Sequence, residues 1–221
     1  MMILPVDNSV WLDKLNSVSR QASTEIEEHG WIQDQMTGEN GELCIIAAGH
    51  EASMVVGAPG MSHVLREVLD YLDHDEAWND TPGREATEIT HYLDHLQVTE
   101  DVMHKTFGPD WTKVCYLSQM FSTFTAEEMR DWSSDKNQVA DWELLKHLDS
   151  QQEPFPQEVR ARTAVCAAAS HMAIEHNLNP MGPSVALMTS FIIRPSLQGA
   201  LAWSAGTELL SGGEMMSTPG R

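Results

Sequence analysis

The stretch MSHVLREVLDYL, residues 61–72, carries the clearest helical pattern in the chain. Apolar side chains recur in it at intervals of three and four, at Val64, Leu65, Val68, Leu69 and Leu72. An α-helix has about 3.6 residues per turn, so this spacing places them on one face. The stretch therefore predicts an amphipathic helix that packs its apolar face onto a core.

A second helical pattern precedes this stretch. Asp7, Asn8 and Ser9 are suitable N-cap residues, because their side-chain oxygens can accept hydrogen bonds from the first free amides of a helix. Apolar residues follow at helical spacing. We expect this first helix to run to His29 and Gly30.

Further helix starts follow along the chain. Residues 78–80 are expected to break the helix before them, and Thr81 then caps a new helix with Pro82 at its first position. Thr99 caps another, and Thr125 with Glu128 has the spacing of a capping box. Later helices are predicted over residues 138–149, 157–177, 183–193 and 196–210.

Strand patterns are few. The apolar run LCII, residues 43–46, follows the turn-like GENG at 38–41, and it suits either a strand or the start of a buried helix. The predicted fold class is therefore all-α or predominantly α, a compact helical bundle with at most a short strand or hairpin near residues 32–46.

The length of 221 residues, with 42% hydrophobic residues, allows two helical units. We divide them as an acidic unit over 1–110 and a second unit over 111–221. The second unit could be a degenerate repeat, because Cys44 precedes small residues and a His50-x-Ala52 step much as Cys166 precedes His171-x-Ala173. Shared helix-packing requirements would explain the same similarity.

The chain is strongly acidic, with 33 Asp and Glu against 13 Lys and Arg and a formal charge of −20. Residues 1–110 hold 21 of the acidic and five of the basic side chains, a net charge of −16. This balance argues against nucleic-acid binding through a basic face. The acidic residues either form a solvated surface that aids solubility or an interaction face for a basic partner, at Glu67, Asp70, Asp73, Asp75, Glu76 and Glu88.

Location and cofactors follow from what the sequence lacks. The start MMILPV has no basic flank, and Arg194 and Pro195 interrupt the most apolar late stretch, so neither a signal peptide nor a membrane span is predicted. Three widely spaced cysteines without a CxxC pair suit a cytoplasmic protein, in the host cytoplasm if the protein is phage-encoded.

Nucleotide-binding motifs are absent, and no cofactor is expected. No metal site is predicted; His91 and His95, four residues apart on one helix, are weak candidates.

The acidic unit contains three distinctive motifs, which are GWIQ at 30–33, GELC at 41–44 before an alanine-rich helix, and AWNDTPGR at 77–84. Together they resemble an uncharacterised domain family common in actinobacteria and their phages. The resemblance covers about residues 10–97 and implies a bacterial or phage origin without supplying a reaction. The sequence departs from the family pattern at Asp34, at residues 47–49, and at Glu85 and Ala86.

The resemblance draws two tryptophans and several polar side chains together as a candidate pocket. Its residues are Trp31, Gln33, Trp78, Asn79 and Asp80, and the further candidates for the same pocket are Cys44, His50 and Arg84. Such a set could recognise a small polar ligand or a peptide. Alternatively, Asn79 and Asp80 join two helices while the tryptophans fill the core. Cys44 and His50 could form a thiol and its base, but an inert buried cysteine fits their six-residue spacing better.

The sequence contains no complete catalytic set, so the leading functional hypothesis is non-enzymatic. We expect a phage-encoded acidic accessory protein that binds a host or phage protein through the acidic face. One alternative is a small-ligand-binding protein or an enzyme that uses the Trp/Cys/Asp pocket. A third is a homo-oligomeric structural or assembly protein, which the Met- and Ala-rich second half favours.

Overall fold

The computed structural model describes residues 7–132 and 156–178. Within these residues the chain forms nine helices and no strand, which confirms the predicted all-α fold. The helices are α1 (Asn8–His29), α2 (Ile45–Val55), α3 (Met61–Tyr71), α4 (Glu76–Asn79), α5 (Ala86–His95), α6 (Glu100–Phe107), α7 (Trp111–Phe121), α8 (Ala126–Trp132) and α9 (Pro156–Glu175).

Helix α3, predicted from the opening stretch, lies at the centre of the bundle. It contacts α1, α2, α6, α7 and α9. Val64, Leu65, Val68 and Leu69 are each at most 1% exposed. The predicted apolar face is therefore the middle of the hydrophobic core.

Helix α1 has the predicted bounds. The Asp7 carboxylate accepts a hydrogen bond from the Ser9 amide at 3.0 Å, and the helix ends at Gly30, whose φ is +92°. Glycine adopts that conformation without the steric cost that a side chain would bring. The helix then turns into a loop that leads back towards α2.

The loop before α2 resolves the ambiguous run at residues 43–46. Leu43 forms isolated bridges with Trp31 and Thr37, and α2 begins two residues later at Ile45. The run thus forms a bridge that is followed by a buried helix. This agrees with the prediction of at most a short strand or hairpin near residues 32–46.

The predicted boundaries between α3 and α5 were wrong. Residues 76–79 form the short helix α4, capped by the Asp75 carboxylate, which accepts from the Trp78 amide at 3.1 Å. Thr81 does not cap the next helix, because its hydroxyl donates to the Ala77 carbonyl at 3.1 Å. Helix α5 starts at Ala86, where the Glu88 carboxylate accepts from the Glu85 amide at 3.0 Å.

Helices α6, α8 and α9 agree with the sequence. Thr99 caps α6, and Thr125 with Glu128 forms the predicted capping box at the start of α8. Helix α9 packs an alanine-rich face against α3 and α7. The buried apolar residues form one cluster from Trp11 to Ala173, while the division at residue 110 stays a prediction.

Helices predicted over 138–149, 183–193 and 196–210 lie outside the described residues. Within residues 7–132 and 156–178, no helix is both long and apolar enough to cross a membrane.

Candidate functional site

Asn79 is the centre of the cluster that the resemblance drew together. Its side chain is 1% exposed and fully hydrogen-bonded. The carboxamide oxygen accepts from the Trp31 indole at 2.8 Å and from the Ile45 amide at 3.3 Å. The carboxamide nitrogen donates to the Ile32 carbonyl at 3.2 Å and to the Asp80 carboxylate at 2.7 Å. One side chain therefore joins α4, the loop after α1 and the start of α2.

Gln33 and Asp80 complete this junction. The Gln33 carboxamide donates to the Asn79 and Thr81 carbonyls at 2.9 and 3.0 Å. The Asp80 carboxylate also accepts from the Asp34 amide at 3.0 Å. These polar groups satisfy one another, which favours the structural interpretation of the cluster over a ligand pocket.

Arg84 and Trp78 form the outer side of the junction. The Arg84 guanidinium lies 4.0 Å above the Trp78 ring, and its Nε donates to the Trp78 carbonyl at 2.8 Å. His74 stacks on Tyr92 with ring centroids 3.9 Å apart and contacts the same tryptophan. The guanidinium is thus engaged in holding the turn between α4 and α5.

Cys44 and His50 do not pair. Cys44 is 5% exposed, and its sulfur accepts from the Ala47 amide at 3.5 Å as the N-cap of α2. Burial raises the pKa of its thiol, so the reactive thiolate is disfavoured. His50 instead contacts His171 of α9. The candidate pocket therefore divides into a helix junction, a capping cysteine and a histidine that lies elsewhere.

The weak metal candidates His91 and His95 are both exposed on α5. The Nδ1 atom of His95 lies 2.9 Å from the His91 carbonyl oxygen. Among the described residues, the one set of three metal-ligand side chains with closely spaced ligand atoms is Glu25, Glu28 and His29. It lies on α1, and its spacing of three and four residues could have indicated it from the sequence.

The predicted acidic face is partly neutralised. Arg66 lies 2.7 Å from Glu76, and Arg160 of α9 lies 3.1 Å from Asp70. Arg84 is also 3.7 Å from Glu88, while Asp73 is exposed and Asp75 serves as the cap of α4.

Glu67 departs from the expected exposed face, because it is only 8% exposed. It lines a cavity of about 160 Å³ between α2, α3 and α4, together with Ile46, Arg66, Asp70, Asp75 and Glu76. Among the described residues no hydrogen bond or ion pair reaches its carboxyl group. Burial, and secondarily the nearby Asp70 carboxylate, raise its pKa to about 7. The cavity thus presents a buried acid without a partner among three further carboxylates.

We expect Glu67→Gln to stabilise the protein above pH 7 and to leave its stability little changed below pH 4.5. The raised pKa means that the folded protein keeps a proton that the unfolded chain gives up. The protonated Glu67 carboxyl makes its full contribution to the free energy of unfolding below pH 4.5. This contribution is lost as the pH rises to 7. Since the amide cannot ionise, the variant should gain roughly 1–2 kcal/mol above this range. Urea unfolding followed by tryptophan fluorescence across this pH range measures the difference.

The control is Glu27→Gln, which removes an exposed carboxylate on α1. It should follow the wild-type pH dependence. If Glu67→Gln also follows the wild type at every pH, the Glu67 carboxyl does not hold its proton in the folded protein.

The junction and the cavity lie in the first half of the chain. Residues 13–97 match the model of a family of unknown function, DUF6197. This confirms the resemblance to an uncharacterised domain family for that segment. No curated protein and no solved structure matches the chain significantly.

The DUF6197 segment contains both features described above. Asn79 and its partners lie inside it, as do all six residues that line the cavity. Arg160 and His171, which contact the segment from α9, lie beyond the match.

Proposed function

We propose that this protein is a non-enzymatic binding protein whose acidic cavity receives a basic side chain of a partner protein. The observation that supports this proposal best is Glu67, a residue that is 8% exposed and lines the cavity, and whose carboxyl group has no hydrogen-bond partner among the described residues. A buried carboxylate without a partner is costly, and a lysine or arginine from outside would supply the missing hydrogen bonds.

The charge of the cavity favours a cation. Four carboxylates line it, at Glu67, Asp70, Asp75 and Glu76. They face two guanidinium groups, that of Arg66 in the lining and that of Arg160, which pairs with Asp70 from α9. A guanidinium or ammonium group would also stabilise the ionised form of Glu67. Binding should therefore release a proton near neutral pH and weaken as the pH falls below 7.

We also propose a location, an origin and a partner for this protein, as expected from its sequence. The protein acts in the cytoplasm, it derives from a phage or a bacterial host, and its partner is a host or phage protein. The acidic composition, with a formal charge of −20, supports a basic partner surface and fast electrostatic association. Self-association stays an alternative prediction.

A small probe tests the cavity directly. We expect N-acetyl-arginine amide to shift the methyl NMR signals of Ile46, because this residue lines the cavity. N-acetyl-citrulline amide has nearly the same shape without the charge, and it should leave the signals in place. High salt should weaken the arginine effect, since charge attraction is screened. Equal shifts by both compounds, or none, would contradict the proposal.

Capture from a bacterial lysate tests the partner. Wild-type protein should retain a basic protein at low salt that Glu67→Gln with Glu76→Gln loses. Glu27→Gln with Glu127→Gln is the matched control, because it removes the same charge from exposed positions on other helices. Retention by both double variants would mean that overall charge, not the cavity, attracts the partner, and the proposal would be wrong.

A further inference from the structure

Three histidines from three helices meet on one side of the bundle. His50 belongs to α2, His63 to α3 and His171 to α9. The ring centroids of His50 and His171 are 4.6 Å apart, and those of His63 and His171 are 5.5 Å apart. The group is separate from the acidic cavity, which none of the three lines.

His63 is the innermost member of this group. Its Nε2 atom is buried and has no hydrogen-bond partner within residues 7–132 and 156–178. Burial, and then the nearby His171, His50 and Arg66, lower the pKa of His63 to about 3. The ring is therefore neutral at physiological pH, which is the form that binds a metal ion.

The surroundings of the other two rings also suit a ligand role. The His171 Nε2 atom lies 3.6 Å from the carboxylate of Glu175, which leaves the second ring nitrogen available. A carboxylate on the outer nitrogen orients metal-binding imidazoles in many proteins. Burial lowers the pKa of His50 as well, and His171 adds to that effect.

We propose that His50, His63 and His171 form a binding site for a transition-metal ion, with Zn²⁺ the ion of choice. Three imidazole ligands with a fourth position open to solvent are typical of zinc sites. In the structure the rings contact one another through faces and edges, and their nitrogen atoms do not all lie within 4.8 Å of one another. Coordination would turn them until one nitrogen of each lies about 3.4 Å from the others, as zinc–nitrogen bonds of about 2.1 Å require.

The site also gives a reason for the similarity between the segments around Cys44 and Cys166. Each segment carries one histidine at the corresponding place, and these two, His50 and His171, are in contact. The metal would thus join α2, inside the DUF6197 segment, to α9 outside it.

Calorimetric titration of the full chain with Zn²⁺ tests the proposal. We expect one ion per chain, and an affinity lower by about tenfold or more in His50→Ala and in His171→Ala, because each loses one ligand. Both side chains are only partly buried, so these variants should fold, and circular dichroism checks that they do. Co²⁺ should give the visible absorption of a tetrahedral nitrogen site without the near-ultraviolet band of a thiolate ligand.

Two control variants separate this site from the other candidates. His29→Ala removes the histidine of the Glu25, Glu28 and His29 set, and His91→Ala with His95→Ala removes the exposed pair on α5. Both should bind Zn²⁺ as the wild type does. The proposal is overturned if the wild type binds no Zn²⁺, if His171→Ala binds it equally well, or if a control variant loses it.

Discussion

Replacing Asn79 by alanine is expected to lower the free energy of unfolding by about 3–4 kcal/mol. The carboxamide makes four hydrogen bonds, to Trp31, Ile32, Ile45 and Asp80, and the residue is 1% exposed. Alanine would leave the buried Ile45 amide and the Ile32 carbonyl without these partners. A buried polar group that loses its partner costs about 1–3 kcal/mol. Urea unfolding followed by tryptophan fluorescence measures the loss.

Asn40→Ala is the matched control. Asn40 lies in the same loop region, is exposed, and donates to the Glu42 carboxylate at 2.9 Å. Its loss should cost no more than about 0.5 kcal/mol, as is usual for surface positions. If the two variants unfold at the same urea concentration, the hydrogen bonds of Asn79 do not hold the junction together.

Asn79→Asp separates the roles of the two ends of the carboxamide. The aspartate keeps the oxygen that accepts from Trp31 and Ile45, but it replaces the donor that faces Asp80 at 2.7 Å by a second carboxylate oxygen. Repulsion between the two carboxylates should therefore make this variant regain stability at acidic pH, where one of them is protonated. The alanine variant should show no such recovery.

The parts of the fold that could be predicted from the sequence depend on local patterns. Helices α1 and α3 follow from apolar spacing, and α8 follows from the capping box at Thr125 and Glu128. The start of α5 could not be predicted correctly, because Thr81 had two possible partners. Its hydroxyl donates back to Ala77 rather than capping the next helix, and the choice depends on the packing of α4.

The buried position of Glu67 shows a different limit. An amphipathic pattern predicts one covered face, and Glu67 lies outside the apolar stripe of α3. Five helices contact α3, however, so more than the stripe is covered. Glu67, predicted as part of an acidic surface, is therefore a buried acid. Neither the spacing of apolar residues in α3 nor the density of acidic residues around it indicates this burial.

The candidate sites also differ in how far the sequence indicates them, because some of their residues share short motifs and others do not. Trp31, Gln33, Asn79 and Asp80, which the sequence motifs group together, are joined by hydrogen bonds at one helix junction. The contact between His50 and His171 joins residues far apart in the sequence. The weak similarity around Cys44 and Cys166 was the one feature of the sequence that placed these histidines in corresponding positions.

Gly60→Ala is expected to destabilise the protein by about 3 kcal/mol or more, although alanine suits its backbone conformation. Gly60 has a φ of −67°, so no conformational strain would arise. A methyl group there would instead overlap the main chain of Ser118 and Gln119 in α7, which cannot move aside as a side chain can. The start of α3 would have to separate from α7. Gly49→Ala is the matched control. Gly49 lies inside helix α2, and its methyl group would make an ordinary contact at 3.8 Å with the Leu65 side chain of α3. That variant should gain about 0.5–1 kcal/mol, because alanine favours a helix interior over glycine. Opposite shifts of the urea midpoint are the expected result, and a Gly60→Ala protein as stable as the wild type would mean that α3 and α7 do not approach so closely.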